Sequence, residues 1–367
     1  MPKYTAIFNA LQREILEGKF AGNRRLPSEA ELCLRYGVSR PTAARALREL
    51  QQIGLVRRKA GSGSYPVLPQ RDSSPVRIKL GLFLPGLGNT EILDPICNEI
   101  NRFAQSLGFS VFTEGDEQTI WSGEKAVEWC KQLIKQSVAG VFFAPIESMP
   151  EREIWNHRIA REFLEHGIPL VLLDRDLGEF PSRSAFDLVA IDNITAAMEI
   201  TEHLLAEQHH QICFLARPHF PSTTDLRLLG CREAVRRRGG AVAAISAEFG
   251  DPADSGFVRR LLDENAPDAI VCSNDQTAAI LIRNLVQIGK RIPDEIAVAG
   301  FDDVQYATLL APPLTTIRQP CREIGRSAVR MLLERIADPA LPPRQVLHSH
   351  ELVVRQSTRE WLSAASV

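Results

Sequence analysis

The stretch GVSRPTAARALREL, Gly37 to Leu50, decides how the first part of this chain folds. Gly37 closes one helix, because a residue free to take φ above zero is what a helix C-terminus favours. Ser39 opens the next as its N-cap, and Pro41 falls in the first turn, where an amide has no intrahelical partner to lose. Leu47, Leu50 and Ile53 then recur on one inward face until Gly54 ends the run. Upstream, RLPSEAELCLRYG sets Ser28 and Glu31 in the Ser-x-x-Glu spacing of a capping box, so a second helix runs up to Gly37. Earlier still, Ile7, Leu11 and Ile15 lie four apart with Phe8 beside them, one apolar face of an amphipathic helix. Downstream, LVRRK and SYPV are short β-prone runs around AGSG, whose glycines permit a close backbone approach. The order of these pieces predicts a winged helix-turn-helix.

Charge agrees with that reading. Residues 1–70 hold 12 Lys and Arg against 5 Asp and Glu, while the remainder holds 31 against 40, so a small basic module precedes a large acidic one. The third helix exposes Ser39, Arg40 and Thr42 in its first turn, with Arg45 and Arg48 farther along, and Arg58 and Lys59 sit in the wing. A helix fits the major groove, arginine binds guanine bidentately, and a capped helix N-terminus suits a phosphate. Double-stranded DNA is the expected partner.

EILEGKF, RLPSEAEL, GVSRPTAARALREL and GLVRRKAGSGS together resemble the DNA-binding domain of the GntR family of bacterial regulators across residues 4–67. The resemblance implies DNA contacts at Ser39, Arg40 and Thr42, and at Ala60 and Gly61 in the wing. Ala30 and Ala44 stand where many members carry DNA-touching arginines, and Arg45 or Arg35 is expected to substitute.

The 367-residue chain is long enough for more than one core. YPVLPQRDSSPVR, with three prolines and no periodicity, reads as a linker, giving domains at 1–68 and 78–362 joined through 69–77. Beyond it, IKLGLFLP, FSVFTE, VAGVFFAP, IPLVLLD, LVAID, QICFLA, AIVCSND and EIAVAGFDD alternate with helical patterns, the rhythm of an α/β body with parallel, doubly wound sheets. In such sheets ligands bind beyond the carboxyl ends of the strands. Asp174, Asp192, Asp275, Asp302 and Asp303 follow apolar runs and become candidates, with helix capping the competing role, favoured for Asp192 and Asp303. Carboxylates with an arginine such as Arg227 suit vicinal hydroxyls, because ionised oxygens accept strong hydrogen bonds while the guanidinium donates them.

Residues 78–360 resemble the ligand-binding module of LacI/GalR repressors, itself related to periplasmic sugar-binding proteins. STTDLRLLGCREA, VCSNDQTAAILIRNLVQIGKRIPDEIAVAGFDDVQYATLLAPPLTTIRQP and ELVVRQST carry the likeness. It implies a periplasmic-binding-protein-like body of two lobes, one of about 78–187 and 316–344, the other of 188–315 and 345–362, and places Asp174, Arg227, Asp275 and Gln319 in the pocket. Where many members stack an aromatic on the sugar, EFGDPADSG leaves Asp251 or Pro252, with Phe249 nearby. A GntR-type head on this body resembles the arabinose-repressor type of regulator. A carbohydrate effector is therefore expected, with a nucleobase or another small molecule as the alternative.

Other classes are disfavoured. GLGNTE has Glu91 where a dinucleotide loop needs its last glycine, no phosphate-cradling Gly-x-x-x-x-Gly-Lys motif occurs, and Asp174 and Asp176 alternate across a strand-like run, so neither catalysis nor a cofactor is expected. The seven cysteines, without a Cys-x-x-Cys, read as free thiols, and His348 with His350 lacks a nearby third metal ligand. Met1 to Phe20 has no apolar core and no long apolar run follows, which points to the cytoplasm and no membrane. One winged helix covers few base pairs, so a homodimer on a near-palindromic operator is expected.

Overall fold

The computed structural model describes residues 3–16, 20, 25–52, 55–59, 63–66, 78–84, 91–113, 122–147, 149, 151–178, 180–218, 221–238 and 243–359. The linker expected at 69–77, and Ala60 and Gly61 of the wing, lie outside them.

The first domain is built as its local chemistry demands. Helix α1 spans Lys3–Leu16, α2 Glu29–Tyr36 and α3 Arg40–Gln52. Ser28 caps α2 through a capping box: the Glu31 amide donates to Ser28 Oγ at 3.3 Å and the Ser28 amide donates to Glu31 Oε2 at 2.6 Å. Gly37 then adopts φ of +61°, and its amide closes α2 onto the Cys33 carbonyl. Ile7, Leu11 and Ile15 of α1 and Leu47 and Leu50 of α3 are buried with Leu26 and Leu32 in one core. Each such aliphatic side chain contributes roughly 1.5–3 kcal/mol on burial. Strands β1 (Val56–Lys59) and β2 (Gly63–Pro66) pair antiparallel, with Arg58 opposite Ser64, and form the wing.

The body follows as β3 (Lys79–Phe83), α4 (Leu93–Ser106), β4 (Ser110–Phe112), α5 (Gly123–Lys135), β5 (Val141–Phe143), α6 (Arg152–Glu165), β6 (Leu170–Leu173) and β7 (Asp187–Ile191). It continues with α7 (Asn193–Ala206), β8 (Gln211–Ala216), α8 (Ser222–Arg237), β9 (Ala244–Phe249), α9 (Ser255–Asn265), β10 (Ala269–Cys272), α10 (Asp275–Gln287) and β11 (Ala297–Asp302). A short 3-10 turn, Gln305–Thr308, precedes β12 (Thr315–Arg318), α11 (Cys321–Ala337), β13 (Gln345–His348) and β14 (Glu351–Val353).

Two six-stranded sheets result, ordered β4-β3-β5-β6-β7-β13 and β9-β8-β10-β11-β12-β14. All neighbours run parallel except β12 and β14. The strands β5, β6, β7 and β10 are buried along their whole length, as parallel strands covered on both faces must be. An aromatic cluster in which Phe83 lies 4.5 Å from Trp129 and 5.4 Å from Phe143, centroid to centroid, fills the space under the first sheet.

The chain passes between sheets three times, after β7, after β12 and after β13. Each passage comes a few residues later than the positions 188, 315 and 345 expected from sequence, because β7, β12 and β13 each complete a hydrogen-bonded ladder in their own sheet before leaving it. In both sheets the strand order reverses direction beside the first strand, between β3 and β5 and between β8 and β10. Those are the switch points at which α/β sheets open a crevice.

Candidate functional site

The recognition surface begins at Ser39, whose carbonyl accepts from the Thr42 amide at 3.0 Å and the Ala43 amide at 3.2 Å. The Ser39 and Thr42 hydroxyls lie 2.9 Å apart on the outer side of this first turn. Arg40 is open, its side chain 79% exposed and paired among the described residues with Glu29 at 3.2 Å. Exposed pairs of this kind are worth about 0–1 kcal/mol, so Arg40 can leave Glu29 for a base or phosphate. Arg45 is more constrained: it pairs with Glu49 at 3.2 Å and stacks 4.0 Å over the Tyr4 ring. Arg48 and Arg57 are exposed. Arg58 and Lys59 belong to β1, their side chains outside the described residues.

Arg35 does not take over from the missing arginines. Its guanidinium makes a two-pronged bond to Glu14, one arm at 3.1 Å, which braces α2 against α1. That hydrogen bond raises the Arg35 pKa further, so the pair stays charged and engaged. Ala30 is exposed and Ala44 half-buried.

The second site lies where the carboxyl ends of the two sheets face each other. From the first sheet, Glu147 follows β5, and Asp174 with Arg175 follows β6. From the second, Asp302 ends β11, Gln319 follows β12, Arg227 projects from α8 and Asn193 from α7. Asp174 and Asp302 both hold positive φ, +68° and +114°, and Asp303 follows at +51°. Left-handed backbone at non-glycine residues costs free energy and clusters at functional sites.

Arg227 is fixed on every side. Its Nε donates to Asn193 Oδ1 at 2.8 Å, Nη1 to the Ser273 carbonyl at 2.5 Å, Nη2 lies 3.7 Å from Asp302 Oδ1, and the guanidinium rests 4.4 Å over the Phe301 ring. Gln319 Nε2 donates to the same Asp302 oxygen at 2.8 Å, while Gln319 Oε1 is buried without a hydrogen-bond partner. On the facing wall Arg175 bonds Glu147 and lies 3.5 Å from Asp174. Glu147, Asp174, Arg175, Arg227 and Gln319 are all buried.

The two walls sense each other. Burial pushes the Asp174 carboxyl up, and Arg175 together with Arg227 of the opposite wall pulls it back. Burial raises Asp302 to about 7 against the pull of Arg227 and Gln319, with Asp174 and Glu147 across the crevice adding to the rise. The arrangement offers fixed acceptors and donors at close quarters, and among the described residues no group of three metal-ligating side chains occurs anywhere.

Asp174, Arg227 and Gln319 thus come together as the sequence predicts, and Asp275 lies beside Asp302, bonded into the surrounding framework. Asp275 is fully buried, with Oδ1 accepting from Thr316 Oγ1 at 2.6 Å and Oδ2 from the Val304 amide at 3.1 Å. It locks α10 to the loops around β11 and β12, and Gly300 must lack a side chain to make room, since a Cβ there would stand 2.4 Å from Asp275 Oδ1. Each oxygen thus holds one donor of the protein's own framework. Asp302, one strand over, is held by Gln319 and Arg227. Asp192 caps α7 through the Ile194 and Thr195 amides, each at 3.1 Å. Asp303 caps nothing and bridges Arg318 at 2.6 Å to Arg355 at 2.5 Å. His348 and His350 bond separately to Ser327 and Glu199. Phe249 ends β9 partly exposed.

Glu147, Arg175 and Asn193 were not singled out from sequence. The signal that could have found the first two is position alone: charged residues at the carboxyl ends of buried strands, the same signal that marked Asp302.

Residues 3–65 match the family model of bacterial regulatory proteins of the gntR family, and residues 201–358 match a periplasmic binding protein-like domain. The arabinose metabolism transcriptional repressor of Geobacillus stearothermophilus is 27% identical over 381 residues, covering 98% of each chain. The ribose operon repressor of Halalkalibacterium halodurans is 28% identical over 281 residues, covering 76% of this chain and 79% of its own. Among solved structures, the transcriptional regulator CelR in complex with cellobiose superposes with a TM-score of 0.64 at 23% identity, covering 90% of this chain and all of CelR. A DNA-binding domain of the bacterial regulatory gntR type at residues 3–65 thus precedes a periplasmic-binding-protein-like body, and the chain is a transcriptional regulator rather than an enzyme.

Proposed function

We propose that the chain is a cytoplasmic repressor which binds operator DNA as a homodimer through Ser39, Arg40, Thr42 and Arg45 of α3 and the basic wing, and that a sugar held between its lobes controls that binding. The observation that carries the sensor half is the crevice itself: Asp174 on one wall and Asp302, Arg227 and Gln319 on the other, their side chains enclosed beyond the carboxyl ends of two facing sheets. Carboxylates and a clamped arginine at such a place accept from and donate to vicinal hydroxyls. Gln319 Oε1, buried without a partner, asks for a hydroxyl donor. Relatives named for arabinose and ribose, and a structural neighbour holding cellobiose, support a carbohydrate over a nucleobase.

A sugar that touches both walls favours the closed arrangement, and it changes DNA affinity only by as much as it prefers that arrangement. No helix among the described residues is long and apolar enough to cross a membrane. The deciding experiment is a fluorescence-anisotropy titration of operator DNA in the presence of pentoses, hexoses and nucleobases. A shift of the DNA isotherm by a sugar is the expected result. A shift by nucleobases alone would replace the carbohydrate reading, and a monomer binding operator with full affinity would remove the dimer.

A further inference from the structure

We propose that Arg152 and Asp225 form a latch across the mouth of the crevice, joining the lobes as they close on a sugar and setting how much sugar the regulator needs, a step that rests on the sugar-sensing reading above. Arg152 opens α6 on the first lobe, and Ser222 opens α8 on the second. Both line one cavity at the outer end of the crevice, together with Arg175 and Asp176, so the two helix starts face each other across the gap. Asp225 lies three residues beyond Ser222, in the first turn of α8 and on the same side of it.

The two side chains are opposite in charge and free to meet. Among the described residues neither makes a direct hydrogen bond or ion pair. The surrounding protein desolvates Asp225 and pushes its carboxyl up, and the charge that pulls it back is Arg152 of the other lobe. The neighbouring charges are already engaged. Arg175 bonds Glu147 and lies beside Asp174, Asp176 accepts from the Leu177 and Gly178 amides and from Gln345, and Arg227 is held by Asn193, the Ser273 carbonyl and Asp302. Glu153 lines the same cavity but rides on the same helix as Arg152, so its pull on Arg152 is the same whether the lobes stand apart or together. The separation of Arg152 and Asp225, by contrast, shortens as the lobes approach. A contact of this kind touches no ligand. It raises the share of closed protein, and apparent affinity scales with that share, so every sugar gains by the same factor whatever hydroxyls it carries.

The test is isothermal titration calorimetry of the full-length protein with arabinose, ribose, glucose and cellobiose, on wild type, R152A, D225A, the double variant R152A/D225A and the charge-exchanged R152D/D225R. Each single variant should weaken every sugar that wild type binds by one common factor of about two to five, the range of a partly exposed ion pair. The double variant should lose no more than either single one, and the exchanged pair should regain affinity. High salt should shrink the gap between wild type and the single variants. Melting curves without ligand report folding, and a single variant that melts early is replaced by R152Q or D225N, which keep a side chain of similar length. Unchanged affinity in both single variants, losses that add in the double variant, or losses that differ from sugar to sugar overturn the latch and leave sugar sensing in place. Failure of every sugar to bind wild type overturns the sensor reading, and the latch with it.

Discussion

Replacing Asp275 by alanine should weaken the fold and leave effector binding intact. The side chain is fully buried, and its loss strips acceptors from the Thr316 hydroxyl at 2.6 Å and the Val304 amide at 3.1 Å. Each buried donor left unsatisfied costs about 1–3 kcal/mol, and a small cavity adds to that. Burial holds the Asp275 carboxyl well above its ordinary pKa, so alanine also relieves a desolvation penalty, which brings the net loss to about 2–4 kcal/mol. For a domain of this size that is a fall in Tm of roughly 5–10 °C. The assay is a melting curve with and without a saturating effector. Wild type and Asp275→Ala should be raised by the same increment, since ligand stabilisation depends on concentration over Kd and not on the starting stability. An unchanged Tm with a lost effector increment would place Asp275 in contact with ligand and refute its assignment to the framework.

Three further outcomes follow from other parts of the molecule. Arg40→Ala should cost about 1–3 kcal/mol on the operator and relax preference at one base pair, while Lys59→Ala should weaken all sequences alike and lower the salt slope by about 1; equal losses for Arg40→Ala on operator and random DNA would reduce it to a phosphate contact. Asp302, held protonated up to about 7 by burial, contributes stability to the unliganded protein that is present at low pH and lost as pH rises through 7. A sugar hydroxyl donating to it favours the ionised form, so effector affinity should rise as pH passes from 6 to 8 with proton release; calorimetry in buffers of different ionisation enthalpy measures this, and an unchanged proton count in Asp302→Asn would contradict it. Finally, Glu99 is buried between Arg102, Arg322 and Arg326, where the arginine bonds outweigh the upward push of burial and hold its carboxyl low. Glu99→Ala should therefore destabilise the α4–α11 contact by about 1–2 kcal/mol, since the arginines left behind are partly exposed and can be solvated, read as a lower denaturation midpoint, and a midpoint within error of wild type would show the cluster to contribute nothing.

What could be read from the sequence was whatever local chemistry dictates. Ser28, Glu31 and Gly37 announce their helix ends because capping involves residues three or four apart, and the buried strands of the body show as continuous apolar runs. β12, β13 and β14 escaped notice because they are short and carry polar residues, their pairing set by distant partners. The same distance hid the role of Arg35, whose partner Glu14 lies 21 residues upstream on another helix. In the crevice, strand-end position marked Asp174 and Asp302, which the fold brings to facing walls. It could not separate Asp302 from Asp275, because the first residue of a helix can point either into the crevice or back under the neighbouring strand, and that choice is made by Gly300 and Thr316.

The two sheets share one strand order, so the body is in effect the same half-site written twice, each half carrying its own acceptors and its own clamped arginine. A molecule that satisfies one half alone gains affinity without any reason to draw the other half in. Occupancy and signalling are then separable quantities. Sugars lacking the hydroxyls of one edge would sit in the crevice as silent competitors, and a cell rich in such compounds would see its regulator filled but not switched.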